Sequence, residues 1–180
     1  DANLGSVENA STGKIVFDGA ATWTAGTFTA ANAFAPAGGT YIVDNQSTGS
    51  IAFNQPITLV NSQATAGRNA TATARNGAAG ALTLGSLTAA TGGTGATVVI
   101  LDVTNSASAG TMTLAGGTIR GLLTNVTGAT TTVNGTLSVA GVLTNAGTVA
   151  LGANVLTLSG SVAHLTNGGT VSASGSGGIA

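Results

Sequence analysis

The chain of 180 residues carries one histidine, His164, so any imidazole chemistry has to be built there. A nucleophilic triad would need His164 beside a serine and one of Asp1, Asp18, Asp44 or Asp102, all distant from it in sequence. The Gly-x-Ser-x-Gly turn that presents a nucleophile between a strand and a helix does not occur. Glycoside cleavage needs two carboxylates, or a cluster of Asp, Arg and Lys, around the scissile bond. Asp18 and Asp44 are the nearest approach to a pair, and no such cluster recurs. Asp44 and Glu8 occupy equivalent places in a repeated phrase, which predicts exposed corner positions for both. The run Gly92-Gly93-Thr94-Gly95 lacks the Asp of calcium-binding solenoid repeats and has no Lys after it to meet a phosphate, so it reads as turn chemistry. No catalytic, cofactor or metal site is therefore assigned, and the chain reads as non-enzymatic.

Composition narrows the partners. Charged residues make up 5% of the chain, against about 25% in ordinary globular proteins. Four cations and a net charge of −1 cannot form the basic surface that nucleic acid requires. The apolar run from Ala96 stops at Asp102 and is far too short to span a bilayer, so no membrane insertion is expected. Without cysteine there are no disulfides and no thiolate metal sites. Arg68, Arg75 and Arg120 read as solubilising or gatekeeping edge residues. Trp23, Phe28, Phe34, Tyr41 and Phe53 crowd the first third, as a wider bore, a capping layer or a sticky end. Asn-x-Ser/Thr acceptors occur at Asn9, Asn45, Asn69, Asn125 and Asn134.

The few polar groups that recur do so at fixed spacing, and that spacing points to the elements holding them. Val103-Thr104-Asn105, Leu123-Thr124-Asn125, Leu143-Thr144-Asn145 and Leu165-Thr166-Asn167 follow one another at 20, 20 and 22 residues. Glycine and an alternating stretch come after each, as in Gly147-Thr148-Val149-Ala150-Leu151. In the first half, Glu8-Asn9-Ala10-Ser11-Thr12-Gly13-Lys14-Ile15-Val16-Phe17 returns as Asp44-Asn45-Gln46-Ser47-Thr48-Gly49-Ser50-Ile51-Ala52-Phe53. That separation of 36 is read as two coils of 18, with Asn61 and Gly67 as a third instance.

Abundant Val, Ile and Thr suit a pleated surface, whereas frequent Gly, Thr, Ser and Asn disfavour helix. A period near 20, built of short strands and tight turns, is the size of one solenoid coil. A single coil cannot bury its apolar face, but a stack buries a continuous column. The expected fold is all-β, a parallel β-solenoid (right-handed β-helix) of about nine coils of 18–22 residues. One domain spans 1–180: looser coils over 1–63, unassigned coils over 64–96, regular coils over 97–172 and a Gly/Ser tail over 173–180. Alternation predicts Val149, Leu151, Leu156 and Leu158 facing in. It also predicts a structural Asn ladder of Asn105, Asn125, Asn145 and Asn167 beside an apolar column of Val103, Leu123, Leu143 and Leu165.

Gly141-Val142-Leu143-Thr144-Asn145-Ala146-Gly147-Thr148-Val149 and Asn134-Gly135-Thr136-Leu137-Ser138-Val139 resemble the passenger regions of bacterial autotransporters and filamentous-haemagglutinin-type adhesins. The resemblance is one of repeat style, closest over 97–175. It implies a right-handed β-helix, secreted or displayed on a bacterial surface, with a host or cell-surface receptor or a polysaccharide as its ligand class. Neither a membrane β-barrel nor a haemagglutinin-type secretion domain is evident in these residues, which fits a fragment or a short self-contained relative. Three functions are weighed: a subunit stacking through its solenoid ends into a homo-polymer, a rigid adhesin stalk, and an ice-binding face. The last would need regular Thr pairs. Thr27/Thr29 and Thr111/Thr113 supply them, but Lys14/Val16, Thr40/Ile42, Thr148/Ala150 and Thr170/Ser172 break the array.

Overall fold

The structure, a computed structural model, describes residues 7–25, 41–61, 70–90, 99–159 and 164–180. These form three parallel sheets of seven strands each. Sheet A stacks β1 (Val7–Asn9), β4 (Tyr41–Asn45), β7 (Ala70–Asn76), β10 (Val99–Asn105), β13 (Leu123–Asn125), β16 (Val142–Asn145) and β19 (His164–Asn167). Sheet B stacks β2 (Lys14–Phe17), β5 (Ser50–Phe53), β8 (Ala81–Leu84), β11 (Thr111–Leu114), β14 (Thr130–Val133), β17 (Thr148–Gly152) and β20 (Thr170–Ala173). Sheet C stacks β3 (Ala21–Ala25), β6 (Ile57–Asn61), β9 (Leu87–Ala90), β12 (Gly117–Ile119), β15 (Leu137–Val139), β18 (Val155–Leu158) and β21 (Gly178–Ile179). Each coil contributes one strand to each sheet in the order A, B, C, and pairs in parallel with the coils above and below. The fold is a parallel β-solenoid.

The described residues stack in seven coils, not nine. Glu8 pairs directly with Asp44 and Asn9 with Asn45, so the separation of 36 is one coil rather than two. The sequence period is uneven because one connection varies while the other two stay short. From sheet C to the next sheet A the chain takes residues 26–40 after β3 but only 140–141 after β15. Insertions at a surface connection add little closure entropy, so a solenoid absorbs them without disturbing its strands. Asn61, expected in the Asn series, instead ends β6 in sheet C, where it pairs with Ala25. Within 64–96, β7, β8 and β9 supply the third coil. Residues 173–180, read as a tail, continue β20 and add β21, with Gly178 opposite Val155 and Ile179 opposite Leu156.

Strand alternation builds the bore. Ile51, Leu82, Met112 and Val149 fill one line of sheet B, and Phe53, Leu84, Leu114 and Val133 the next. Leu59, Ile119, Val139 and Leu156 close it from sheet C. Val149, Leu151 and Leu156 are buried and Leu158 is partly so. Phe17 and Phe53, one coil apart, stack with ring centroids 4.4 Å apart and an interplanar angle of 7°. Phe28 and Phe34 lie outside the described residues, as do Arg68, Asn69 and the Gly92–Gly95 run. Gly117, at φ +95°, stands in the line of Leu87 and Leu137 with no room for a side chain: an added Cβ would lie 2.1 Å from the Leu87 carbonyl oxygen.

Candidate functional site

The corner between sheets A and B carries the strongest polar feature. An inward residue at the end of each sheet A strand sits where the chain turns, and its side chain meets the carbonyls of that turn. Buried polar groups there need partners. Asparagine supplies them because its amide is both a two-proton donor and an acceptor. Asn105, Asn125, Asn145 and Asn167 stand in one column, register to register, beside Val103, Leu123, Leu143 and Leu165. The column extends further than these four, through Asn76 and Asn45 to Asn9. Asn76 lacks the preceding Leu-Thr; its signal was the Asn76-Gly77 step followed by the alternating Ala81-Leu82-Thr83-Leu84.

The amides form a directed chain. Asn45 Nδ2 donates to Asn76 Oδ1 at 2.9 Å, and Asn76 Nδ2 donates to Asn105 Oδ1 at 3.0 Å. The chain continues from Asn105 to Asn125 at 3.2 Å, to Asn145 at 2.8 Å and to Asn167 at 2.8 Å. The nitrogens of Asn45, Asn76, Asn105 and Asn125 also reach a carbonyl of their own turn and the first carbonyl of the next sheet B strand. Asn125 Nδ2 does so with Ala129 O at 3.3 Å and Thr148 O at 3.0 Å. Backbone bonds run the opposite way: Val126 N donates to Asn105 O and Ala146 N to Asn125 O. The corner is thus stitched in both directions. Asn9 departs from the pattern, its Nδ2 donating to Gly13 O at 3.0 Å and Ser50 O at 3.4 Å, and Asn45 Oδ1 is buried without a partner among the described residues.

One bore position is polar. Thr131 lies in line with Met112 and Val149, is fully buried, and donates its hydroxyl to Asn125 Oδ1 at 3.0 Å. The sequence reading did not single it out.

The charged residues serve structure in ways the sequence did not reveal. Asp44 is not an exposed corner residue: it lies mid-strand in sheet A and is 4% exposed. Arg75, in register with it one coil on, donates Nε at 2.8 Å and Nη2 at 2.6 Å to its two carboxylate oxygens. Gln46 adds a third donor at 2.9 Å. Arg75 is therefore a bidentate partner rather than a solubilising edge residue. Asp18 accepts from Asn54 Nδ2 at 2.7 Å, and Asp102 accepts from the Leu122 backbone at 2.8 Å. Asp18 follows sheet B strand β2 while Asp44 lies in sheet A, so the two belong to different parts of the coil. His164 opens β19 opposite Val142. Among the described residues no three His, Asp or Glu converge as metal ligands would.

Two surface expectations are sorted by exposure. Asn9, Asn45 and Asn125 are buried in the column, whereas Asn134, in the turn between β14 and β15, is exposed and accessible to a glycosylating enzyme. The Thr pair of β11 recurs at Thr130/Thr132 of β14; the flanking strands of sheet B hold Ala81/Thr83 and Thr148/Ala150. Ile42 belongs to sheet A and not to that face, and Thr27, Thr29 and Thr40 lie outside the described residues.

The remaining feature is the pair of terminal coils. Among the described residues β1, β2 and β3 at one end, and β19, β20 and β21 at the other, each pair on one side only. Their inward side chains lack a covering coil. Leu165 is 38% and Ile179 39% exposed, although Leu143 and Leu156 directly beneath them are fully buried. At the other end Val7, Ile15 and Ala21 are only partly buried. No family model, curated protein or solved structure matches this chain. Its function has to be argued from the column and the ends.

Proposed function

We propose that this chain is a non-enzymatic structural subunit that stacks head to tail into an extracellular or cell-surface filament. The observation that carries the reading is the state of the terminal coils. Among the described residues each offers three strand edges in the direction a further coil would need, and inward apolar side chains stand exposed on the last one. Natural proteins usually blunt such edges with charge, proline or a covering element. Here the outward residues on β20 are Thr170 and Ser172, and those on β2 are Lys14 and Val16, so little repulsion opposes a second copy.

Assembly is expected to depend on concentration. Sedimentation velocity should move from a single slow species to large polymers as concentration rises, and negative-stain microscopy should show unbranched rods about one solenoid wide. A chain that stays monomeric across concentrations and salts would defeat the reading and favour a rigid adhesin stalk, in which further coils of the same polypeptide occupy the ends. A secreted or surface location in a bacterium, with a receptor or polysaccharide as ligand, goes with either reading through the adhesin-like repeat style.

A further inference from the structure

The column has a direction, carried by amide bonds from Asn45 to Asn167. Every amide bond along it runs from the Nδ2 of one coil to the Oδ1 of the next towards the C-terminus. Asn167, the last member, accepts from Asn145 and spends its own Nδ2 only on Gly169 O at 3.2 Å. An amide nitrogen has two protons, and a second is available beyond the coil. At the other end Asn9 Oδ1 accepts from the backbone N–H and the hydroxyl of Ser11, each at 3.2 Å. Inside the stack Asn145 Oδ1 shows the corresponding arrangement completed. It accepts from the N–H two residues on, Gly147, at 3.2 Å, and also from Asn125 Nδ2 of the preceding coil at 2.8 Å. Asn9 Oδ1 thus holds the N–H of an interior member and, where the preceding coil's Nδ2 would sit, the Ser11 hydroxyl, which an incoming amide would displace.

We propose that the asparagine column sets the join between copies: Asn167 Nδ2 of one copy donates to Asn9 Oδ1 of the next, in place of the Ser11 hydroxyl. The proposal rests on the filament reading. It fixes register as well as polarity. With Asn9 over Asn167, Val7 covers Leu165, Ile15 covers Val171 and Ala21 covers Ile179, following the same strand columns as the interior coils. Glu8 meets Thr166 and Lys14 meets Thr170, so no like charges face each other across the join. Joining two C-terminal ends would set donor against donor at Asn167 and destroy the parallel strand pairing. The filament must then be polar, with no two-fold axis across it.

Asn167→Asp isolates the claim. The carboxylate keeps an oxygen for Asn145 Nδ2, so the internal ladder keeps its last bond, but the outward donor is gone and an acceptor faces Asn9 Oδ1. Asn167 is exposed in the single copy, so the variant should keep wild-type circular dichroism. Filament mass at a concentration where wild type polymerises is expected to fall at least tenfold. Doped at one part in ten into wild type, the variant should add by its intact N-terminal coil and stop further growth, shortening the filaments. Variant filaments as abundant and as long as wild type would overturn the column-set join and leave the filament reading standing. Wild-type protein that never polymerises would instead overturn the filament reading and this proposal with it. Helical reconstruction of wild-type filaments gives a test free of any variant: polar symmetry is expected, and perpendicular two-fold axes would overturn the proposal.

Discussion

Replacing Asn125 by alanine lowers the unfolding free energy by about 3 kcal/mol, among the largest effects expected of any polar substitution in this chain. Asn125 is fully buried and takes part in five hydrogen bonds. Its loss leaves the Thr131 hydroxyl without its acceptor inside the bore and strips Asn145 Oδ1 of its strongest donor. Asn105 Nδ2 loses less, because Gly110 O at 3.1 Å and Thr130 O at 3.0 Å remain within reach. An unsatisfied buried group costs roughly 1–3 kcal/mol, and of the five partners the Thr131 hydroxyl and Asn145 Oδ1 lose most. Urea unfolding of the variant should show a lower midpoint at unchanged slope. Adding Thr131→Val to Asn125→Ala removes the orphaned hydroxyl and should recover part of the loss, a coupling that a double-mutant cycle measures. An Asn125→Ala midpoint within error of wild type would mean that the column favours the turn without stabilising the stack.

Gly80→Ala should cost about 3 kcal/mol for a steric reason, at the upper end of ordinary overpacking. The coils approach so closely at this corner that an added Cβ would lie 2.2 Å from Gly49 O, 2.5 Å from Ser47 O and 2.6 Å from Asn45 Nδ2. Two of these are backbone atoms of the neighbouring coil, which can yield only by opening the stack. Gly168→Ala is the control. It lies at the same corner of the last coil, directly after the column asparagine as Gly77 does in the coil of Gly80, and an added Cβ there meets nothing within 4 Å, so its effect should stay within about 0.5 kcal/mol. Thermal or urea unfolding of the two variants side by side checks the contrast. Equal destabilisation would attribute the cost to backbone entropy rather than to coil contact.

What the sequence made legible follows from where the repeat was kept. The Val103 to Asn167 phrases sit at near-constant spacing because the C-to-A connections there are short, and both columns could be read directly. Upstream, the same strands and the same asparagines are present, but residues 26–40 and 62–69 lengthen the coils and hide the period. The doubled coil at Asn9 and Asn45 and the omission of Asn76 share that cause. The Asp44–Arg75 pair lies 31 residues apart in sequence and one coil apart in space, so it becomes visible only when the coil length is known. In Thr130-Thr131-Thr132 residue type alone gives no facing; register with Met112 and Val149 places Thr131 inside. The directed amide bonds were beyond any reading of residue types, since spacing fixes the column but not which atom of each amide faces up.

In the proposed filament, copies add as whole coil stacks, each continuing the last. The axial rise per subunit in the filament tests it most directly. Seven coils at the parallel-strand spacing of about 4.8 Å predict a rise of roughly 34 Å, with a strong meridional reflection near 4.8 Å from the strands themselves. Cryo-electron microscopy or diffraction from aligned filaments reads both distances. A rise near 34 Å is the predicted result. A rise near 4.8 Å alone, as refolded cross-β would give, or a rise unrelated to the seven-coil height, would contradict the claim.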